Sequence, residues 1–155
     1  MDQVSITPEL AARLRLTIAR VARRLRQEAG TDLGPAQSSA LATIERHGPL
    51  TPSELAQRER IKRPTATRLV GSLEDLGLVD RASDPADGRS SILTATADGR
   101  GLLRRLRERK TAYLAQQLRD LPPADAAALA RAADLLERML EQDPTVEQPA
   151  LGEGP

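Results

Sequence analysis

Between Thr7 and Gly30 the apolar residues Leu10, Leu14, Ile18, Val21 and Leu25 recur at spacings of four, four, three and four. That is the stripe of an amphipathic helix. Thr7-Pro8-Glu9 supplies its start, a hydroxyl cap followed by proline in the first turn, and Gly30 closes it. Pro35 opens a second helix with Ala40, Leu41 and Ile44 inward, ending at His47-Gly48-Pro49. Thr51 is an N-cap, Pro52 takes the first helical position and Glu54 completes a capping box. This third helix is short, because its apolar positions stop after Leu55 and Ala56. A turn around Arg60-Ile61-Lys62 leads into a fourth helix with Ala66, Leu69, Leu73 and Leu76 as its apolar face and Gly77 as its stop. Leu78–Arg81 and Ser91–Ala95 are strands on either side of the turn sequence DPADGRSS. Thr96 caps a long helix from about Ala97 to Arg119, apolar at Leu102, Leu103, Leu106, Tyr113, Leu114 and Leu118. Leu121-Pro122-Pro123 breaks it. A last helix, Asp125 to about Glu141, carries Leu129, Leu135, Leu136, Met139 and Leu140. Residues 144–155 have no periodicity and read as a flexible acidic tail.

The pattern predicts a mainly α protein with a small β-hairpin. Two short capped helices followed by a hairpin form a winged helix-turn-helix, the hairpin being the wing. Residues 1–143 form one domain, with a DNA-binding lobe at about 34–96 between dimerisation helices at about 7–30 and 97–141. The first and last two helices carry more apolar surface than one winged-helix unit covers, which predicts a homodimer.

Composition narrows the chemistry. The 155 residues contain no Cys, Phe or Trp and one aromatic, Tyr113. Disulfides, thiolate nucleophiles and thiol redox sensing are therefore excluded. His47 is the single histidine, read as a helix C-terminal cap, so neither a metal site nor a cofactor is expected. The sequence has no nucleophile elbow, no phosphate-binding glycine loop and no His–carboxylate pair at useful spacing, which argues against an enzyme. No apolar run spans a bilayer and MDQVSITPEL lacks the marks of a secretory signal, so a cytoplasmic protein with no membrane partner is expected. The six arginines of the first helix also fit a transit or membrane-surface helix, but its stripe is narrow and lacks interfacial aromatics.

Net charge is +1, yet residues 1–119 hold 21 basic and 14 acidic residues, and residues 120–155 hold 2 and 8. A basic body suits a polyanion. The charge concentrates between Arg58 and Arg68, where five basic residues accompany one acid, Glu59. On the fourth helix Pro64, Thr67 and Gly71 lie opposite the apolar face, flanked by Arg63 and Arg68, with Thr65 nearer the boundary. Small side chains let a helix enter a major groove, while arginine reaches base edges or phosphates. Lys62 and Arg63 stand at a helix N-terminus, where the dipole disfavours cations, so an anion is expected there. Ser53, in the first turn of the third helix, joins this DNA-binding set. Arg89, at the tip of DPADGRSS, is placed to enter a minor groove, its loop supported by Asp87 and Gly88 and steadied by Asp84. The bland alternative is a surface turn with an Asp–Arg pair.

LTPSELAQ, RPTATRLVGSLEDLGLVDR and DPADGRSSILTATADG resemble the MarR family of winged-helix regulators, over about residues 7–141. Asp87-Gly88-Arg89 matches the family's D-x-R wing signature. The resemblance implies an obligate homodimer on a pseudo-palindromic operator in double-stranded DNA, with recognition helices in successive major grooves and wings in flanking minor grooves. It makes Pro64, Thr65, Thr67 and Arg68 recognition-helix contacts and Arg89 the wing contact. Arg60 and Lys62 depart from the family's usual glycine and serine at these positions. The resemblance further implies a ligand-responsive repressor with a small aromatic or anionic effector between the dimer helices and the lobe. Tyr113, with Arg104 or Lys110, is the candidate lining; the competing reading puts Tyr113 in the dimer core. The alternatives are a winged-helix protein-interaction module and a non-specific DNA-binding protein.

Overall fold

The computed structural model describes residues 6–142. They fall into two compact units, residues up to Leu114 and residues from Ala115. The order of elements is α1 (Pro8–Ala29), α2 (Pro35–His47), α3 (Pro52–Glu59), α4 (Arg63–Asp75), β1 (Val79–Ser83), β2 (Ser91–Ala95), α5 (Ala97–Leu118) and α6 (Pro123–Gln142). The expected winged helix-turn-helix order is the one observed.

Short-range side-chain bonds set most of the boundaries. Leu10 N–H donates to Thr7 Oγ1 at 3.3 Å at the start of α1, and left-handed Gly30 (φ 61°) ends it with an N–H to Gln27 O. At α3 the capping box forms as expected: Glu54 N–H donates to Thr51 Oγ1 (3.2 Å) and Thr51 N–H to Glu54 Oε2 (2.6 Å). Arg60 takes a left-handed conformation (φ 53°) that favours glycine, and the α3–α4 turn closes regardless, with Ile61 N–H donating to Ala56 O at 3.0 Å. Thr96 Oγ1 accepts from Gly99 N–H (3.0 Å) and donates to Gly77 O (2.7 Å), so one hydroxyl caps α5 and ties it to the end of α4.

The lobe's core is a cluster of Leu41, Ile44, Leu50, Leu55, Val70, Leu73, Leu78, Val79, Leu93 and Leu103. β1 and β2 pair antiparallel, Val79 opposite Ala95 and Ser83 opposite Ser91. Leu50 extends the pairing by exchanging backbone bonds with Leu93, Leu93 N–H to Leu50 O at 2.8 Å and Leu50 N–H to Leu93 O at 3.2 Å. Gly99 has to be small: a Cβ there would lie 2.2 Å from Leu78 O.

The inward face of α4 differs from expectation. Ala66, Val70 and Leu73 are buried, Leu69 is half-buried, and Leu76 is 56% exposed. The helix is rotated so that positions i, i+4 and i+7 from Ala66 meet the core. It also stops at Asp75, so Leu76 belongs to the cap, where Gly77 N–H returns to Glu74 O at 2.8 Å and Leu78 N–H to Leu73 O at 2.9 Å. β1 begins one residue later than expected and runs two further towards the wing.

In α5, Gly99, Gly101, Leu103 and Leu106 are buried and Leu102 is half-buried, whereas Leu114 and Leu118 stay exposed. Three arginine contacts fasten the first unit's long helices. Arg107 makes a two-pronged pair with Glu45 of α2 (2.8 and 3.2 Å), Arg109 Nη1 donates to Ala29 O (2.9 Å), and Arg24 Nε donates to the Tyr113 hydroxyl (3.1 Å). On α1, Leu14, Ile18 and Val21 are exposed, and α6 has no buried residue, with Leu129, Leu135, Met139 and Leu140 open. The sequence's tail, 144–155, lies outside the described residues.

Candidate nucleic-acid interface

The N-terminal turn of α4 presents Lys62, Arg63, Pro64, Thr67 and Arg68 to solvent, with Thr65 half-buried. Lys62 caps with its backbone alone: Ala66 N–H donates to Lys62 O at 3.1 Å, and its side chain makes no capping bond. Among the described residues, no hydrogen bond or ion pair engages the side chains of Lys62, Arg63, Arg68 or Arg89. Cations placed at a helix N-terminus without carboxylates gain from an external anion.

The wing loop is ordered by its two aspartates. Asp84 Oδ1 accepts from Ala86 N–H at 2.9 Å, and Asp84 N–H donates to Ser90 O at 2.9 Å. Asp87 Oδ1 accepts from Arg89 N–H (3.1 Å), and its Oδ2 accepts from Ser90 Oγ (3.3 Å). Asp87 therefore holds the backbone of Arg89, not the guanidinium, which stays exposed. The pairing proposed for an ordinary Asp–Arg surface turn is absent among the described residues.

Between α3, α4 and the hairpin lies an open polar cleft of about 360 Å³. Thr51, Pro52 and Ser53 come from the start of α3, Arg63 and Thr67 from α4, Arg81 from β1, and Arg89, Ser90 and Ser91 from the wing and β2. Four sequence-selected residues, Ser53, Arg63, Thr67 and Arg89, thus meet in one place. Lys62, Pro64, Thr65 and Arg68 are not part of its lining. Thr67 Oγ1 donates to Arg63 O at 3.0 Å, so in this state its hydroxyl serves the helix. Three arginines face the cleft and no carboxylate lines it, which makes it a focus of positive potential.

Sequence reasoning missed Arg81. Its Nη2 lies 3.0 Å from Glu74 Oε2 and its Nε 3.2 Å from Glu74 Oε1, so α4 and β1 are tied beside the cleft. The only signal was a carboxylate followed seven residues later by an arginine across a glycine turn. His47 ends α2 just before the Gly48 cap, where the sequence placed it. Burial first, then Arg58 and Arg46, hold its imidazole below the usual histidine value, which favours the neutral ring.

A second cavity of about 340 Å³ lies in the first unit, lined by Arg23, Arg26 and Gln27 of α1, Thr31 and Leu33 of the α1–α2 turn, Pro35 and Ser38 of α2, and Leu106 and Lys110 of α5. Lys110 lines it as considered from the sequence; Tyr113 and Arg104 do not. The Tyr113 hydroxyl is engaged by Arg24, whose guanidinium sits 5.8 Å from the ring centroid. Among the described residues, no cluster of three or more His, Asp or Glu could hold a metal ion, and no helix is long and apolar enough to cross a membrane.

A family model described as MarR family matches residues 31–90, the segment that builds α2 to the wing. An HTH-type transcriptional regulator of Mycobacterium bovis is 36% identical over 136 residues, covering 87% of this chain and 95% of that protein. A crystal structure of a transcriptional regulator protein of Pseudomonas aeruginosa superposes with TM-score 0.77 at 34% identity, over 84% of this chain and 93% of that one. Streptococcus pneumoniae FabT, crystallised in complex with DNA, shares the fold at TM-score 0.65 and 19% identity, over 84% of this chain and 97% of its own. With the family segment lying on the lobe that carries the arginine cleft, and a relative aligned over nearly its whole length, the chain belongs to the MarR family of winged-helix DNA-binding transcriptional regulators and is not an enzyme.

Proposed function

We propose that this regulator is a sequence-specific, ligand-responsive repressor that binds a pseudo-palindromic operator in double-stranded DNA as a homodimer, in the cytoplasm. The observation that carries the reading is the meeting of Ser53, Arg63, Thr67 and Arg89 at one cleft without a carboxylate in its lining. On this reading Arg68, with Pro64, Thr65 and Thr67, meets base edges in the major groove. Lys62, Arg63 and Ser53 hold phosphates, and Arg89 enters the minor groove. Asp87 and Gly88 act indirectly, by shaping the loop that carries Arg89.

The partner for the exposed stripes is a second copy. Leu14, Ile18 and Val21 on α1 and Leu129, Leu135, Met139 and Leu140 on α6 are too many open apolar side chains for a monomer in water. A dimer sets two recognition helices about one DNA turn, ~34 Å, apart and doubles the phosphate contacts. The cavity above α5 supports a ligand response. Arg23, Arg26 and Lys110 supply positive charge and Leu33 and Leu106 an apolar wall, which suits a small apolar anion. Such a ligand releases DNA by favouring a lobe arrangement that fits the operator poorly.

A protein-docking module needs buried anchors, and the cleft lining has no large apolar side chain. The deciding experiment is selection of random duplexes for binding, repeated at two salt concentrations. A recurring inverted repeat is the expected product. Equal retention of unrelated duplexes would leave only non-specific binding.

A further inference from the structure

Gln37 stands between the cationic cavity and the recognition helix. Leu33, Pro35 and Ser38, on both sides of it in sequence, line the cavity, while its own side chain reaches α4. Three hydrogen bonds run in series. Gly34 N–H donates to Gln37 Oε1 (2.9 Å), Gln37 Nε2 donates to Ser72 Oγ (3.0 Å), and Ser72 Oγ donates to Leu69 O (2.9 Å). Gly34 O also accepts from Ser38 N–H at 2.9 Å, which binds the cavity wall into the same turn.

Both ends of the carboxamide are in use, so the side chain cannot rotate without losing two bonds. Gln37–Ser72 is a hydrogen bond that joins α2 to α4. Beside it, α2 and α4 share apolar packing in the core around Leu41, Val70 and Leu73. Apolar packing is non-directional, whereas a hydrogen bond weakens steeply with misalignment, so this bond couples the position of α4 along α2 to Gln37.

We propose that Gln37 is a positioning residue through which occupancy of the cavity is transmitted to the recognition helix. A body seated between Ser38, Leu33 and Leu106 displaces the Gly34–Ser38 turn; Gln37 moves with it, and Ser72 passes the displacement to α4. The proposal rests on the cavity being the effector site, and the relay itself is tested with a built-in occupant in place of a ligand.

Ser38→Leu supplies a built-in occupant, with the smaller Ser38→Val as a second variant if leucine prevents folding. Ser72→Ala breaks the relay on the α4 side and leaves the Gly34–Gln37 cap in place. Each is made alone and combined in the full chain, and two quantities are read: affinity for the selected duplex and the amide chemical shifts of Arg63–Asp75. The occupant is expected to weaken duplex binding about 5- to 10-fold and to shift the α4 amides. With Ser72→Ala the same occupant is expected to change affinity less than about twofold and to leave the α4 amides in place. The same factor in both backgrounds, or a folded occupant variant with unmoved α4 amides, overturns the relay. Failure of benzoate to bind the wild-type cavity removes the effector reading alone. Failure to bind any duplex removes the DNA reading alone, and the amide shifts still decide the relay.

Discussion

Arg81 of β1 grips Glu74 of α4, with Nη2 3.0 Å from Oε2 and both side chains about one-third exposed. The pair spans the recognition helix and the wing strand, and its arginine faces the cleft that also holds Arg63 and Arg89. At this exposure solvent screens the attraction, so its contribution to stability is small. Arg81→Ala is therefore expected to cost no more than ~1 kcal/mol in urea unfolding. It is expected to flatten the salt dependence of duplex binding by about 0.9 in log–log slope if Arg81 meets one phosphate. An unchanged slope would confine Arg81 to holding the wing.

Arg68 and Arg89 separate reading from wing contact. Arg68→Ala is expected to cost about 1–3 kcal/mol on the selected duplex and to relax preference at one position, if it reads a base. A uniform loss across sequences would assign it to phosphate. Arg89→Ala is expected to weaken the specific duplex with an unchanged unfolding midpoint, since Asp87 holds only the backbone of that residue. Equal affinity of wild type and variant at physiological salt would take the wing out of recognition.

Gly99 tests the fit of α5 against the lobe. Alanine is the better helix former by about 1 kcal/mol, but its Cβ would meet Leu78 O at 2.2 Å. Overpacking against backbone outweighs the propensity gain, and Gly99→Ala is expected to destabilise by about 1–3 kcal/mol in chemical unfolding. A stabilised variant would contradict this packing.

Acid is expected to destabilise the fold in two steps. The hydrogen bond from Arg107 holds the Glu45 carboxyl below its ordinary value of 4.5, despite some burial. A carboxylate depressed on folding contributes stability above its unfolded value and loses it as pH falls through the folded one. His47 is also depressed, mainly by burial, so the unfolded chain takes up its proton first and stability starts to fall as pH drops below about 6.5. Unfolding midpoints measured against pH are expected to lose the upper step in His47→Gln and the lower one in Glu45→Gln.

The proposed dimer is tested at the open apolar residues of α6. Leu135 is 59% and Met139 58% exposed in the single chain. Leu135→Glu puts a charge into the proposed dimer contact and is expected to yield a monomer in sedimentation with the helix content of the lobe retained. A variant that sediments like wild type would move the contact elsewhere.

Elements set by neighbours four or fewer residues apart were legible in the chain. The Thr51–Glu54 capping box, the Thr7 and Thr96 caps, the Gly30 stop and the DPADGRSS turn each depend on a local bond, and each is found where residue spacing put it. The candidate DNA set was partly legible for the same reason: cations at a helix start and an arginine at a turn announce themselves. Leu76 misled and Val70 was overlooked because periodicity gives a face only to within a residue's rotation; Val70 is buried, Leu69 packs at the edge of the core and Leu76 is exposed.

By itself, then, the order of residues determined the helices, their caps, the wing and the absence of thiol chemistry, since these follow from backbone geometry and composition. Tertiary structure alone decided that Arg81 joins Ser53, Arg63, Thr67 and Arg89 at one cleft. It also decided that Tyr113 answers to Arg24, and that Gln37 reaches Ser72 thirty-five residues away. The physical reason is range. A cap or turn is stabilised by groups already held close by the chain, whereas a bond between distant segments exists only after apolar burial has fixed their relative position.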